Sequence, residues 1–255
     1  MIIMLKQFNL GFENHGIGSE GIIAIKYNLQ QKLSRLPYLS YTKISISITD
    51  YNKEKDLGLW WDDKKTANLR CYIDGEIIKD LSNSVNIALT YQEVLLCLEQ
   101  LWVKNNWNKI DLTGVYETLE KENFHVLVSM RKKMQSENKK FSVDFNCIIF
   151  PTYTDFYLIF SRRNQIIRRI KFLKGQPDPF IFFGFFTNRY WKGDELFLIS
   201  DINKEIFFIF SIDKDDFSIE YRPLINSLEK CKDYLRAFEA GLSHKERMRL
   251  LGLPS

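Results

Sequence analysis

The sequence predicts an α+β protein: two antiparallel strand-rich halves flanked by helices, closed by a C-terminal helical segment. Three observations carry this. Lys43–Thr49 reads KISISIT, alternating isoleucine with polar residues as a strand with one wet face does. Apolar residues at spacings of three and four mark helical faces in the segments around Ile25 and Leu98. Between Phe141 and Glu220, short apolar runs alternate with turn residues and leave no room for intervening helices. With 255 residues, 45% of them hydrophobic, the chain can bury about three-quarters of the surface its unfolded form exposes. It holds 20 Phe and 12 Tyr against only 12 Gly and 6 Pro, a composition of folded rather than disordered chains.

In chain order, a first strand is expected at residues 1–5. Ile22, Ile25, Leu29, Leu33 and Leu36 then share one helical face, and Pro37 closes that helix. After KISISIT, residues 69–73 and 76–78 flank Asp74-Gly75, the signature of a type I′ hairpin turn. Thr90 and Glu93 have the spacing of a capping box, opening a helix to Asn105 with Val94, Leu95, Leu98, Leu101 and Trp102 inward. A second helical region is expected over 115–136, broken near Asn123.

The strands FSVDFNCIIF, FYLIFSR, QIIRRIKFL, ELFLIS and EIFFIFSI follow, separated by turn signals at Pro151, Gly175–Pro179, Gly193-Asp194 and Asp201–Lys204, as in antiparallel meanders. Pro223 is read as opening a helix on Leu224, Leu228, Cys231, Leu235 and Phe238, capped by Gly241. Ser243-x-x-Glu246 opens a last short helix ending near Gly252. This organisation gives an N-terminal half over 1–110, a helical connection over 111–140 and a strand-rich half over 141–255. No Ser, Gly or Pro-rich linker divides them, so the halves are expected to pack and one domain overall stays open.

Catalytic motifs are scarce. Cys71, Cys97, Cys147 and Cys231 are far apart, each in an apolar run, which reads as four buried reduced thiols in a reducing compartment and not as a zinc or redox site. The three histidines, His15, His125 and His244, form no HExxH or HxH, so no metal site is expected. Asp62-Asp63, the trio Asp213, Asp215 and Asp216, and Asp194-Glu195 with Asp201 are acidic clusters in turns, where solvated carboxylates are the simpler account. Gly16-x-Gly18-x-x-Gly21 matches the dinucleotide fingerprint, and a helix follows it. The first strand, though, is expected to end ten residues earlier, and the alternating strands and helices of a doubly wound sheet are missing. No catalytic residue and no cofactor is assigned, and enzyme activity stays undecided with the balance against it. The N-terminal apolar run is five residues and none reaches the roughly 18 that a span needs, so no membrane association and a cytoplasmic location are expected.

Charge is more informative. Residues 126–174 carry a net charge of +8, while the rest of the chain carries −4. The cations include Arg162, Arg163, Arg168, Arg169 and Lys171, interleaved with Tyr153, Tyr157 and Phe160. Such a face can meet an acidic protein or a phosphate backbone. A second candidate surface is the aromatic segment 180–191, including Arg189, Tyr190 and Trp191. Phe180–Phe186 and Phe207–Phe210 are so dense in rings that they are either buried on both sides or partly turned to a partner.

The order of features over residues 57–210 brings in a family. LWWDD at 59–63, NLRCYIDGEII at 68–78 and SVNIALTYQEVLLCLEQLWVKNNW at 84–107, with later strands 147–162 and 184–210, resemble the non-catalytic amino-terminal region of long bacterial ImmA/IrrE-type metallopeptidases. The peptidase's HExxH is absent, so the resemblance implies no metal ligands and no protease activity. What it implies is a non-enzymatic bacterial interaction protein that senses or neutralises a partner in a toxin-antitoxin, immunity or phage-defence system. Two alternatives accompany it: a nucleic-acid-binding protein using the basic 126–174 face, and a nucleotide-binding enzyme using the Gly16–Gly21 loop.

Overall fold

The computed structural model describes Leu5 and residues 7–12, 20–36, 41–50, 57–63, 65–81, 83–108, 110–129, 133–177, 182, 186–214 and 216–240. The α+β class holds. The chain divides into two compact units, residues 1–126 with 150–152, and residues 127–149 with 153–255.

The first unit begins with β1 (Gln7–Phe12), α1 (Glu20–Leu33), β2 (Lys43–Thr49), β3 (Gly58–Asp62) and β4 (Thr66–Tyr72). Its sheet runs in the order β1-β2-β4-β3 and is mainly parallel: β2 pairs parallel with both β1 and β4, and only β3 is antiparallel. The antiparallel sense expected for this half is therefore corrected to a strand-helix-strand crossover through α1. The first described strand is 7–12, and the strand expected at 1–5 falls, apart from Leu5, outside the described residues. The helix prediction from Ile22, Ile25, Leu29 and Leu33 holds, and all four are buried.

Ile44, Ile46 and Ile48 point into the same core as Ala67, Leu69 and Cys71, while Ser45 and Ser47 on the other face are half-buried. Asp74-Gly75 is no hairpin turn. The Asp74 carboxylate caps a short helix, α2 (Gly75–Lys79), by accepting from the Glu76 N–H at 2.9 Å. The next helix, α3 (Ser84–Lys104), starts six residues before the expected capping box, on an Asn83 cap. Thr90 sits inside it, its hydroxyl donating to the Asn86 carbonyl, and Val94, Leu95, Leu98, Leu101 and Trp102 form the expected inward face. Helix α4 (Ile110–Lys121) ends where Asn123 and Phe124 take positive φ. The break near Asn123 stands, and among the described residues beyond it 126–129 and 134–135 are strands and none is helix.

The second unit holds two sheets. One contains β5 (Val126–Ser129), β6 (Met134–Gln135), β7 (Phe141–Ile149), β8 (Thr154–Arg162) and β9 (Gln165–Gly175), with β6 and β8 antiparallel to β7 and β9 antiparallel to β8. The other is the antiparallel meander of β10 (Asn188–Lys192), β11 (Leu196–Ser200), β12 (Ile206–Ser211) and β13 (Phe217–Tyr221). Their facing sides are aromatic. Phe172 of β9 lies 5.3–6.3 Å, centroid to centroid, from Phe145, Phe182, Phe208, Phe210 and Phe217. Phe160 of β8 meets Trp191, Phe197 and Phe210. Edge-to-face rings at these distances add specific attraction to the burial of large apolar area.

Helix α5 (Leu228–Glu239) caps one end of this core, with Phe238 against Phe156, Phe182 and Phe186. It starts at a Ser227 cap, four residues beyond Pro223, so Leu224 lies in an exposed loop before the helix. The expected Gly241 cap and the Ser243–Glu246 helix lie outside the described residues.

Candidate protein-docking surface

The basic residues singled out by the sequence converge on one hairpin, β8–β9. Its turn, Arg163-Asn164, has φ of 48° and 65°, the paired left-handed conformation of a tight two-residue connection. Two register shifts each insert one residue into β9: Ile167 falls between the partners of Phe160 and Ser161, and Phe172 between those of Phe156 and Tyr157. A bulge re-aims side chains. At the first one the consecutive residues Ile166 and Ile167 are both outward, 69% and 45% exposed. At the second, Phe172 and Leu173 are both buried.

The named cations differ in what they do. Arg162 and Arg163 are exposed at the turn, with Arg162 5.9 Å from the Phe141 ring. Arg169 is exposed and lies over the Tyr157 ring at 4.4 Å, and Lys174 lies over Tyr153 at 4.0 Å. Lys171 is bonded to Asp155 at 2.7 Å; burial alone lowers its pKa, but the hydrogen bond and the charge of this carboxylate, with smaller contributions from Tyr157 and Tyr153, together raise it. Arg168 departs from the expected surface role. It is half-buried and its guanidinium donates to the carbonyls of Ser211, Ile212 and Lys214, tying β9 to the turn after β12.

Of the second predicted surface, residues 180, 181 and 183–185 lie outside the described residues, and three of the others are core. Trp191 is 9% exposed and packs edge-on against Phe160 and Phe197, and Phe182 and Phe186 are fully buried. Of the named trio, Tyr190 is exposed, and Arg189 is half-buried with its guanidinium 6.0 Å from the Phe145 ring. Along β10 Tyr190 is exposed and Trp191 buried, so the trio does not present one surface.

Four of the acidic residues singled out by the sequence serve the fold, and Asp215 lies outside the described residues. Asp62 accepts from the Tyr41 hydroxyl at 2.7 Å and from Lys104 at 2.6 Å, and burial together with this carboxylate pushes the Tyr41 pKa up to about 12. Asp63 accepts from the N–H groups of Lys65 and Thr66. Asp194 accepts from the backbone and side chain of Asn138, which holds its carboxyl below the usual range. Asp201 accepts from the Glu205 and Ile206 N–H groups at 2.7 and 2.8 Å.

All four cysteines are free and buried. The interaction of its protonated thiol with Cys97, then burial, raises the Cys71 pKa, and burial pushes Cys147 up to about 12. Thiols held protonated in this way are poor nucleophiles. Among the described residues no three His, Cys, Asp or Glu side chains are grouped to hold a metal ion. No helix among them is long and apolar enough to cross a membrane.

Sequence reasoning missed one feature, a carboxylate staple. Glu205, 1% exposed, accepts through Oε1 from the N–H groups of Leu224, Ile225 and Asn226 at 2.7, 2.5 and 2.7 Å, and through Oε2 from the Asn226 amide at 2.6 Å. The stapled loop carries Leu224 and Ile225 at 75% and 77% exposure, beside Ile202 on the adjoining turn at 62%. A glutamate opening the apolar run EIFFIF gives no local sign of reaching a loop twenty residues on.

No family model, no curated protein and no solved structure matches this chain.

Proposed function

We propose that the chain is a non-enzymatic protein-recognition module that senses or neutralises a partner protein, of the toxin-immunity or phage-defence kind that the resemblance implies, and that the β8–β9 hairpin is its reading surface. The observation carrying this is the pair Ile166 and Ile167, exposed on a bulged strand, with the exposed Arg162 and Arg163 at the adjoining turn and the exposed Arg169 further along the strand on the face of Ile166. An apolar centre inside a charged rim is the anatomy of a protein interface. A phosphate backbone has nothing apolar with which to cover two isoleucines, which disfavours nucleic acid as the ligand of this face. Capture from the native host with wild type and the double variant Ile166→Asp/Ile167→Asp tests the reading. A partner held by the wild type, lost by the variant and rebound after separate purification supports it. Partners that bind both forms equally refute it.

A second reading has one specific observation in its favour. It is supported by β1 ending at Phe12, by α1 beginning at Glu20 within the Gly16–Gly21 stretch, and by β2 lying parallel beside β1, which resembles the local context that the dinucleotide fingerprint requires. Gly16 and Gly18 themselves lie outside the described residues. β1 is also the terminal strand of its sheet, so no strand-order reversal creates the usual nucleotide crevice beside it. Calorimetry with NADH, ATP and Mg²⁺ tests this reading; no heat of binding refutes it.

A further inference from the structure

We infer that the outer edge of β9 accepts a short, extended segment of the partner protein, apolar at its centre and acidic on both sides, as an added strand. This deepens the protein-recognition reading and rests on it.

Among the described residues β9 pairs with β8 alone, so its other edge presents backbone donors and acceptors of the kind that added strands use. The two bulges, at Ile167 and Phe172, confine regular register to Arg168–Lys171 between them. The added strand is therefore short, and backbone pairing alone does not hold it. Side chains supply the rest. Ile166 and Ile167 stand exposed at the start of that stretch and offer an apolar anchor. Arg162 and Arg163 lie on the turn side of this anchor and Arg169 on the other, all exposed.

Charge selects the occupant's chemistry. Among the hairpin's described acidic groups, Asp155 is bonded to Lys171, which leaves the three arginines beside the isoleucines to meet charge from outside. Carboxylates flanking an apolar centre match that order. A basic or uniformly polar strand does not match it, and like charges placed opposite one another are rejected at such edges. The bulges protect an exposed edge against indiscriminate pairing with other strands, so recognition depends on the matched side chains.

The test uses the full-length protein and labelled peptides of about nine residues, long enough to span the strand. One carries valine and isoleucine at its centre with aspartate and glutamate on both sides, and its counterpart carries lysine at the acidic positions. Anisotropy should show saturable binding of the acidic peptide, weakened about tenfold by Arg162→Glu/Arg169→Glu. The lysine peptide should gain binding to that variant, which excludes misfolding as the cause of the loss. Hydrogen exchange should show new protection of the amides in 165–175.

Binding without protection of 165–175 overturns strand addition. So does equal competition by an oligodeoxythymidylate, which would mean that the arginines read phosphates, and so does no acidic-peptide binding up to about 1 mM. If the peptide fails while the Ile166→Asp/Ile167→Asp variant still loses a host partner, only strand addition falls. If both fail, the recognition reading falls with it.

Discussion

Replacing Glu205 tests how the second unit holds the exposed loop that carries Leu224 and Ile225. Burial by itself would raise this carboxyl, but the hydrogen bonds from the Asn226 main chain and side chain and from the Leu224 and Ile225 N–H groups outweigh it and hold the pKa at about 2, against 4.5 for an ordinary glutamate. The gap corresponds to roughly 3 kcal/mol of stabilisation of the charged form, and water around the exposed Leu224 and Ile225 screens this to about 2 kcal/mol. Because the folded-state value lies below the unfolded one, the contribution is complete above about pH 4.5 and is lost as pH falls towards 2. Glu205→Gln keeps the shape and removes the charge. It should therefore be about 2 kcal/mol less stable than wild type at pH 7, with the difference shrinking towards zero near pH 2.

Urea denaturation followed by ¹⁹F resonances of fluorotryptophan reads this, because Trp191 is the one tryptophan of the second unit and reports it separately from the first. Faster hydrogen exchange at 224–226 should accompany the loss. A stability difference that stays constant from pH 7 to the acid limit, or unchanged exchange in that loop, would show that the staple is not the source.

Two further substitutions probe the hairpin and its packing. Arg163→Gly relieves a left-handed residue at φ 48°, worth about 1–2 kcal/mol, and sets against this about 0.5–1 kcal/mol of added unfolded-state entropy, so a net gain of about 0.5 kcal/mol is expected in the urea midpoint. A net loss would mean that the arginine side chain itself supports the turn. Gly175→Ala would place a Cβ 2.7 Å from Cε1 of Phe238 and 3.3 Å from Cε2 of Phe156. A loss of about 1–3 kcal/mol is expected, with faster hydrogen exchange in α5 as its mark; an unchanged α5 would show that the helix accommodates the methyl group.

The strand-rich second unit was legible because its signals are local. Five apolar runs between Phe141 and Ser211, each bounded by turn residues, map onto β7, β8, β9, β11 and β12, and antiparallel neighbours joined by tight turns need no long-range information. The first unit was misread for a physical reason. KISISIT has one buried face and one half-buried face, and such alternation usually marks an antiparallel sheet. Here the apolar faces of α1, α3 and α4 share one core with the inward residues of a mainly parallel sheet, so parallel strands carry an alternating pattern. The caps were misread in the same way. Asp74-Gly75 and Thr90-x-x-Glu93 both match a motif, but Asp74 caps α2, and the start of α3 is set by Asn83, whose side chain accepts from the Val85 N–H.

The candidate site was legible only as composition. The charge excess of 126–174 located a basic region, yet nothing in the letters separates Arg168, which ties β9 to three carbonyls, from Arg169, which faces outward. That distinction comes from register. Arg168 lies opposite Phe160, whose ring packs in the aromatic core, and Arg169 opposite Ile159, on the other face. The bulge at Ile167 matters equally, since in a regular strand one of two consecutive isoleucines would turn inward. It leaves both exposed instead, at 69% and 45%. A single inserted residue on β9 thus determines whether this hairpin is an ordinary basic edge or a basic edge with an exposed apolar anchor, and it is invisible until the strand is paired.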